Sequence, residues 1–369
     1  MNFFVNDKPP GVPHLVVKLW KVLGVSDVHR EQYRCVPIFV TFLLIIAIPK
    51  IFFGYPDFKS GVIGLAELVC QTNRFVGVLL LALYRDVFYE LIRQAECFTR
   101  DVLSGSPPIA KHLKIQDARI NKVMKVCLLS ILLPANFYSF SPILSTLWKY
   151  YSASANATDV QFILHMEENF YVLNVRTSLR DYLLFGVFMV PTSLLCSFVG
   201  TAKLVSILAI IKYCTVYFQL VALKIQYTAR ERSFRSELKT IVQMHQGALN
   251  CAELLRTLTA PVMLMQIILC VLNWSSMLLY FTVSGFSTQF INLLVLFMFE
   301  TIETFGYCYL GNQLSDAAAK VAGAVYESCW EAECASVQKD LQLIIVRTQK
   351  PIGITAGKFC DLNMELFGV

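Results

Sequence analysis

The stretch Tyr182–Ile211 reads YLLFGVFMVPTSLLCSFVGTAKLVSILAII and contains a single charged residue, Lys203, in its thirty positions. A helix needs about 20 apolar residues to cross the roughly 30 Å hydrocarbon core of a bilayer. Working outward from this run, the chain contains five more of comparable length and apolarity, at 35–55, 61–83, 123–147, 258–283 and 289–311. The sequence therefore predicts an all-α membrane protein, a multi-span helical bundle.

The composition supports the same class. Hydrophobic residues make up 56% of the 369 positions and charged residues only 16%, whereas soluble domains typically have about 45–50% and 25%. One buried core cannot absorb that excess, so lipid must cover much of the surface. Disordered chains and small disulfide scaffolds are excluded by the same numbers.

The distribution of Lys and Arg predicts the orientation. Residues 1–34, 84–122, 212–257 and 312–369 together carry 24 of them, and the connections on the opposite side carry four. Loops rich in Lys and Arg remain cytoplasmic, so the N-terminus is expected inside a multi-pass plasma-membrane protein. The net charge of +6 is thus a topology signal and does not indicate nucleic acid. This orientation argues against a G-protein-coupled receptor.

The connections carry two further signals. No signal-peptide pattern precedes the first span, and the sequon Asn156-Ala-Thr158 falls in the predicted external loop 148–181, so Asn156 is a predicted glycosylation site. Apolar residues continue at helical spacing through 84–102 and 238–255. These segments are expected to form cytosolic helices that either cap the bundle or assemble subunits.

Catalytic motifs are missing from the sequence. It contains no Gly-rich phosphate loop with Lys, no His-Glu-x-x-His, no Gly-x-Ser-x-Gly and no Cys-x-x-Cys. The five histidines are scattered, and most of the twelve cysteines lie in spans or predicted cytosolic segments, where they act as small apolar residues. We therefore expect no enzyme activity, no cofactor and no metal site.

Ionisable residues inside the spans suggest function by default. Glu67 and Arg74 are two helical turns apart, so they share a face and are expected to pair. Glu300 and Glu303 could attract cations into a vestibule, or could cap or snorkel at the helix end. Lys203 is interpreted as a snorkelling anchor near the cytosolic boundary.

The outer halves of three spans combine aromatic residues, methionines and isolated hydroxyls. Such a lining would hold a small apolar ligand by dispersion and orient it through a hydroxyl. Interfacial aromatic belts and helix packing explain the same pattern. The candidate pocket residues are Phe137, Tyr138, Ser141, Phe185, Phe188, Met189, Thr192, Trp274, Met277 and Tyr280.

The C-terminal region carries the most specific pattern. It runs through Tyr307-Cys-Tyr-Leu-Gly-Asn-Gln-Leu-Ser315, Val325-Tyr326, Trp330, Lys339-Asp-Leu341, Arg347-Thr-Gln-Lys-Pro351 and Thr355-Ala-Gly-Lys-Phe359. This order and spacing resembles the signature of the insect odorant receptors. The number of spans, the short first external loop and the long cytosolic helices resemble that family more weakly.

The resemblance implies an odorant-gated, non-selective cation channel of four subunits around one pore, formed with a shared coreceptor in the dendrite of an olfactory neuron. It implies an odorant pocket in the outer half of the tuning subunit. It divides the chain into a cytoplasmic segment 1–34, a bundle 35–311 and a cytosolic anchor segment 312–369. Residues expected in the penultimate helix of the anchor are Tyr326, Trp330, Leu341, Arg347 and Pro351.

One departure from the family pattern stands out. In that family a seventh, pore-lining helix follows the Thr-Ala-Gly-Lys-Phe motif, whereas ten residues follow Phe359 here. The sequence is then either a shortened form of the chain, which we expect, or a subunit that cannot contribute a wall of the pore. The alternatives are a gustatory-type channel subunit and a small-solute transporter. A transporter would favour an internal repeat, and none is apparent.

Overall fold

The computed structural model of the protein describes residues 10–26, 33–152, 162–357 and 359–367; the predicted glycosylation site Asn156 lies outside them. The described helices are α1 His14–Val22, α2 Cys35–Phe52, α3 Phe58–Leu83, α4 Arg85–Ser104, α5 Pro107–Ser152, α6 Leu179–Arg230, α7 Phe234–Ser284, α8 Thr288–Tyr326 and α9 Ala335–Thr348.

Six of these helices are long and apolar enough to cross a membrane, which confirms the predicted multi-span bundle. They are α2, α3, α5, α6, α7 and α8, counted over the described residues. The 52 residues of α6 extend over about 78 Å, far more than a bilayer requires. The predicted helical continuation at 238–255 is confirmed as part of α7.

The helix α6 forms the centre of the bundle and packs against α5, α7 and α8. In its most apolar segment 72% of the residues are buried, compared with 17% for α5. A helix that is apolar on all sides needs apolar neighbours on all sides. The apolar run Tyr182–Ile211 is therefore covered mainly by other helices of the bundle.

The bundle has two distinct ends. The basic end carries α1, α4, α9 and the extensions of α5–α8 beyond the membrane segments. The opposite end carries the strap, a name used here for residues 162–178, which cross the ends of α2, α3, α5 and α6 without forming a long helix.

The N-terminal segment docks into the basic end. The indole of Trp20 stacks on Phe88 with ring centroids 3.7 Å apart, and its Nε1 donates to Ser206 Oγ at 2.9 Å. Gly11 N donates to Asp117 Oδ1 at 2.9 Å, and Tyr217 OH donates to Gly11 O at 2.7 Å. Residues 10–26 are thus part of the core.

The C-terminal motif folds back onto the bundle as a hairpin of β1 Thr355–Ala356 and β2 Cys360–Asp361. Gly357 turns the chain with a φ of +61°, a conformation that glycine adopts without strain. Its amide donates to Ala260 O on α7 at 2.9 Å. The hairpin therefore packs against α7 at Ala260.

Candidate functional site

The strap closes one end of the bundle through a series of tethers to helices. Ile163 N donates to Thr146 Oγ1 at 3.0 Å, and Tyr182 OH donates to Ile163 O at 2.8 Å. Tyr171 OH donates to Leu44 O at 2.7 Å. These bonds hold the strap to α5, α6 and α2, so it covers the space between them.

A buried charge cluster fastens the middle of the strap. Lys50 Nζ lies 2.7 Å from Glu67 Oε2 and 3.8 Å from Glu168 Oε2, and it donates to Glu167 O at 3.0 Å. Glu167 N donates to Glu67 Oε2 at 2.9 Å, and Arg176 Nη2 pairs with Glu167 Oε1 at 2.6 Å. The cluster joins α2, α3 and the strap.

The cluster corrects one pairing expected from the sequence. Glu67 pairs with Lys50 and not with Arg74, whose Nη1 donates to Gln71 at 3.4 Å. The Arg74 guanidinium also lies over the ring of Phe299, 5.7 Å from its centroid. The two side chains share a face of α3, but different neighbouring helices supply their partners.

Burial raises the pKa of Glu168 to about 8, and Lys50 opposes that rise only in part. Lys50 Nζ already has Glu67 at 2.7 Å, so a second ionised carboxylate would have little compensation. Both carboxyl oxygens of Glu168 are buried without a hydrogen-bond partner. The side chain is therefore mostly protonated at neutral pH.

A small group of buried polar atoms lies beneath the strap. His165 Nε2 donates to Ser139 O at 2.8 Å, and Ser193 Oγ donates to Ser139 Oγ at 2.5 Å. Burial lowers the pKa of His165, so its imidazole is neutral, and Nδ1 has no partner. Nothing in the spacing of these three residues along the chain indicates that they lie together.

The predicted pocket residues of α6 lie next to this polar group. Phe185, Met189 and Thr192 are buried, with exposures of 0%, 0% and 1%, while Phe188 is half exposed. Phe170 of the strap packs on Phe185 and Phe188, with ring centroids 5.2 and 6.1 Å apart. An apolar, aromatic surface therefore faces the underside of the strap.

The predicted residues of α5 divide into two environments. Phe137 and Ser141 line a cavity of about 510 Å³ whose walls all come from α5, so it lies on the outer surface of that helix. Tyr138 is more than half exposed, and it does not line that cavity.

The predicted residues of α7 lie elsewhere. Met277 and Tyr280 are buried in a separate apolar cluster formed by α3, α7 and α8. Trp274 is partly exposed and packs edge-on against Phe297, with centroids 4.2 Å apart. The structure does not bring these three residues into the core cluster that holds Phe185 and Met189.

A second polar network lies deeper in the bundle, centred on Lys203. Its Nζ lies 2.9 Å from Glu303 Oε1 and donates to Asn73 Oδ1 and Gln266 Oε1, each at 3.0 Å. Tyr307 OH donates to the same Glu303 oxygen at 2.7 Å. Lys203 is fully buried, so its interpretation as a snorkelling anchor is wrong; three helices supply its partners.

The neighbouring carboxylate Glu300 belongs to the same network. It accepts from Asn73 Nδ2 at 3.3 Å and from Asn273 Nδ2. Glycines make room for the long cations: a Cβ on Gly77 would lie 2.7 Å from Lys203 Cδ, and one on Gly200 would lie 3.0 Å from Arg74 Cδ. Glu300 and Glu303 thus bind neighbouring helices and do not cap or snorkel.

The predicted anchor residues lie in four segments. Leu341 and Arg347 are in α9, but Tyr326 ends α8, Trp330 begins a short 3₁₀ turn and Pro351 follows α9. Placing all five in one helix was therefore wrong. The physical reason is Cys329, whose left-handed φ of 52° breaks the helix after Tyr326.

Comparison with curated proteins finds odorant receptors of flies. Residues of this chain are 30% identical to odorant receptor 2a of Drosophila melanogaster over 22% of this chain and 20% of that protein. The identity to odorant receptor 22a of the same species is 28% over 37% and 34%, and to odorant receptor 94a it is 25% over 42% of each. These matches span less than half of each relative.

Comparison with solved structures gives the fold. The olfactory receptor OR5 of Machilis hrabei matches with a TM-score of 0.70 and 15% identity, over 93% of this chain and 86% of that one. The same receptor in complex with eugenol matches with a TM-score of 0.75 and 13% identity, over 97% and 94%.

The family assignment rests on most of the length. The model of the 7tm odorant receptor family matches residues 65–368, from the first half of α3 through the C-terminal hairpin. This range includes the strap, the aromatic face of α6, the Lys203 network and every member of the Lys50 cluster except Lys50 itself. The chain belongs to the 7tm odorant receptor family.

Proposed function

We propose that this chain is an odorant receptor subunit that binds small volatile apolar molecules beneath the strap. The aromatic and methionine face of α6, next to the Ser139–Ser193 hydroxyl pair, carries this proposal. Phe185 and Met189 would hold an apolar ligand by dispersion, and a buried hydroxyl would orient its one polar group. The related receptor from Machilis hrabei, solved with eugenol, supports a ligand of this class.

The proposed orientation places the basic end in the cytoplasm and the strap outside the plasma membrane. The excess of Lys and Arg at 1–34, 84–122, 212–257 and 312–369 supports it. A volatile molecule would then reach the pocket from the external side. Residues 35–311 would bind the ligand, and 312–369 would belong to the anchor.

We further propose that the subunit assembles with an odorant receptor coreceptor into a non-selective cation channel of four subunits. Exposed apolar residues at the basic end support an assembly surface there: Tyr326, Leu343 and Val346 are 58%, 66% and 61% exposed. Ligand would open such a channel only if it binds the open arrangement more tightly than the closed one.

The test is an electrical recording. Cells that express this chain together with an insect odorant receptor coreceptor are expected to pass cation current when given a matching volatile from a broad panel that includes eugenol. Cells with the coreceptor alone give the baseline. Silence across the panel, despite surface expression of both chains, would contradict the channel proposal.

Substitutions in the proposed pocket are expected to shift odorant sensitivity. Phe188→Ala, Met189→Ala and Tyr138→Ala each remove apolar contact worth about 1–2 kcal/mol, which corresponds to roughly a five- to thirtyfold change in the half-maximal concentration. Val187→Ala, on the exposed side of the same helix, is the matched control. Dose–response curves unchanged from wild type, at equal surface expression, would remove the substituted residue from the pocket.

A further inference from the structure

The strap is held to the bundle by separate tethers and by one charge cluster. Ile163, His165 and Tyr171 bond to helices directly, whereas Glu167 and Glu168 depend on Lys50 and Glu67. Asn169 Nδ2 adds contacts of 3.3 and 3.2 Å to Phe53 O and Gly54 O at the turn after α2. Loss of the cluster would leave the middle of the strap with few polar contacts.

The strap also covers the surface proposed to bind ligand. Phe170 lies on Phe185 and Phe188, and His165 is bonded to Ser139. Any movement of residues 165–170 away from α6 would expose this aromatic face and the hydroxyl pair. A position of this kind makes the strap a candidate for controlling access.

Glu168 is the group in this cluster that lacks compensation. Its side chain is fully buried, and neither carboxyl oxygen accepts a hydrogen bond. Titratable groups face it from every element packed around it, namely Lys50 of α2, Tyr55 of the following turn, Glu67 of α3, Cys196 of α6 and Glu167 of the strap. Lys50 is the only cation among them, and it is already paired with Glu67.

We propose that the strap is a lid over the odorant pocket, latched by the Lys50–Glu67–Glu168 cluster, and that protonation of Glu168 on the external side keeps it closed. This inference rests on the proposed function and orientation, since it assigns a regulation to the same pocket. It predicts that external acid hinders odorant access and that mild alkali eases it.

The sign follows from the two states of Glu168. In the closed strap its pKa is about 8 because the side chain is buried, and in an open, solvated strap it would have the usual value of about 4.3. At a pH between these two pKa values, Glu168 takes up a proton when the strap closes. The population of the closed form therefore rises as the pH falls. From pH 8.0 to 6.5 the ratio of closed to open strap should rise roughly fifteenfold.

Titration of His165 sets the lower limit of the pH range in which the effect of Glu168 can be measured. Burial lowers its pKa in the closed strap, so protonation of this imidazole favours the open form and has the opposite sign. Its usual value is about 6.5. Measurements between pH 6.5 and 8.0 thus report mainly on Glu168.

Hydrogen–deuterium exchange of the purified protein in lipid nanodiscs tests the latch without any odorant. The reporters are the amides of Ile163, Glu167 and Leu173, which are bonded in the closed strap. After correction for intrinsic exchange, their protection should fall roughly fifteenfold from pH 6.5 to 8.0 in wild type. Glu168→Gln, which cannot ionise, should keep high protection at both pH values.

Glu167→Gln is the matched control, because it changes the adjacent carboxylate, which is paired with Arg176, and leaves Glu168 in place. It should retain the pH dependence even if overall protection is lower. Protection that is independent of pH in wild type, or an equal pH dependence in Glu168→Gln, would overturn the latch.

Odorant responses then test the consequence for access. In cells with the coreceptor, wild type should respond more slowly at pH 6.5 than at pH 8.0, and Glu168→Gln should respond slowly at both. Rapid responses that do not depend on pH, in both proteins, would overturn the lid. A pH-dependent strap in a chain that never responds to odorant would instead contradict the proposed function and leave the latch standing.

Discussion

Replacing Lys203 by methionine is expected to destabilise the bundle by about 3–5 kcal/mol, because it leaves a buried carboxylate without its cation. Lys203 Nζ bonds to Glu303, Asn73 and Gln266. In the variant, Glu303 would keep only the Tyr307 hydroxyl, in a part of the chain surrounded by lipid, where water cannot solvate the charge.

The measurement heats samples of detergent-solubilised protein to a series of temperatures and runs each one on a size-exclusion column. The quantity compared is the temperature at which half of the monodisperse peak is lost. Lys212→Met is the matched control, since Lys212 lies on the same helix and donates to a neutral amide, Gln313, at 2.7 Å. The double variant Lys203→Met with Glu303→Gln should recover part of the lost stability, because the uncompensated charge is gone. A Lys203→Met protein as stable as wild type would contradict the role given to this network.

Replacing Asp117 by alanine is expected to release the N-terminal segment and cost about 2–5 kcal/mol. The carboxylate accepts from Gly11 N at 2.9 Å, Tyr213 OH at 2.8 Å and Asn121 Nδ2 at 3.1 Å. Its removal leaves the buried donors of Gly11 and Tyr213 without an acceptor, while Asn121 Nδ2 still donates to Tyr213 OH; each unsatisfied donor costs about 1–3 kcal/mol. The amide of Gly11 matters most, because it joins the N-terminal segment to α5.

Limited trypsin digestion checks this prediction through the rate of cleavage after Lys21, in the last turn of α1. Cleavage should be much faster in Asp117→Ala than in wild type. Tyr217→Phe, which loses only the bond to Gly11 O, should give an intermediate rate. Asp101→Ala, an exposed position on α4, should behave as wild type. Equal rates in all four proteins would show that Asp117 does not hold the segment.

The two buried networks differ in a way that bears on function. Lys203 and its partners connect α3, α6, α7 and α8 inside the bundle, while Lys50 and its partners connect α2, α3 and the strap at one end. In the first, Glu300 and Glu303 both accept hydrogen bonds from neighbouring side chains, whereas in the second neither carboxyl oxygen of Glu168 accepts one. Glu168 is therefore the carboxylate on which the proposed pH response rests.

The membrane spans could be predicted from the sequence because each depends on a local property. A run such as Tyr182–Ile211 must pair its backbone polar groups within a helix, whatever surrounds it. The resemblance in the C-terminal region depended on residue order alone, and the match of the family model to residues 65–368 confirmed it.

The partners of the buried charges could not be predicted in the same way. Glu67 and Arg74 share a face of one helix, but spacing along a helix does not reveal which other helix lies against that face. The structure places Lys50 of α2 beside Glu67, and it buries Lys203 among partners from three helices. Glu168 carries no sequence signal at all, since its burial arises only when the strap folds over the bundle.

The candidate pocket residues show the same limit of prediction from the sequence. Phe137 is 79% exposed and Phe185 is fully buried, although both belong to apolar runs that contain aromatic residues. In a membrane protein both lipid-facing and core-facing sides are apolar, so hydrophobic periodicity cannot separate them. The sequence by itself determined the six membrane-spanning segments, because these follow from the cost of leaving backbone polar groups unpaired in lipid. Only the tertiary structure decided which side chains meet, because those contacts depend on how the helices are arranged around α6.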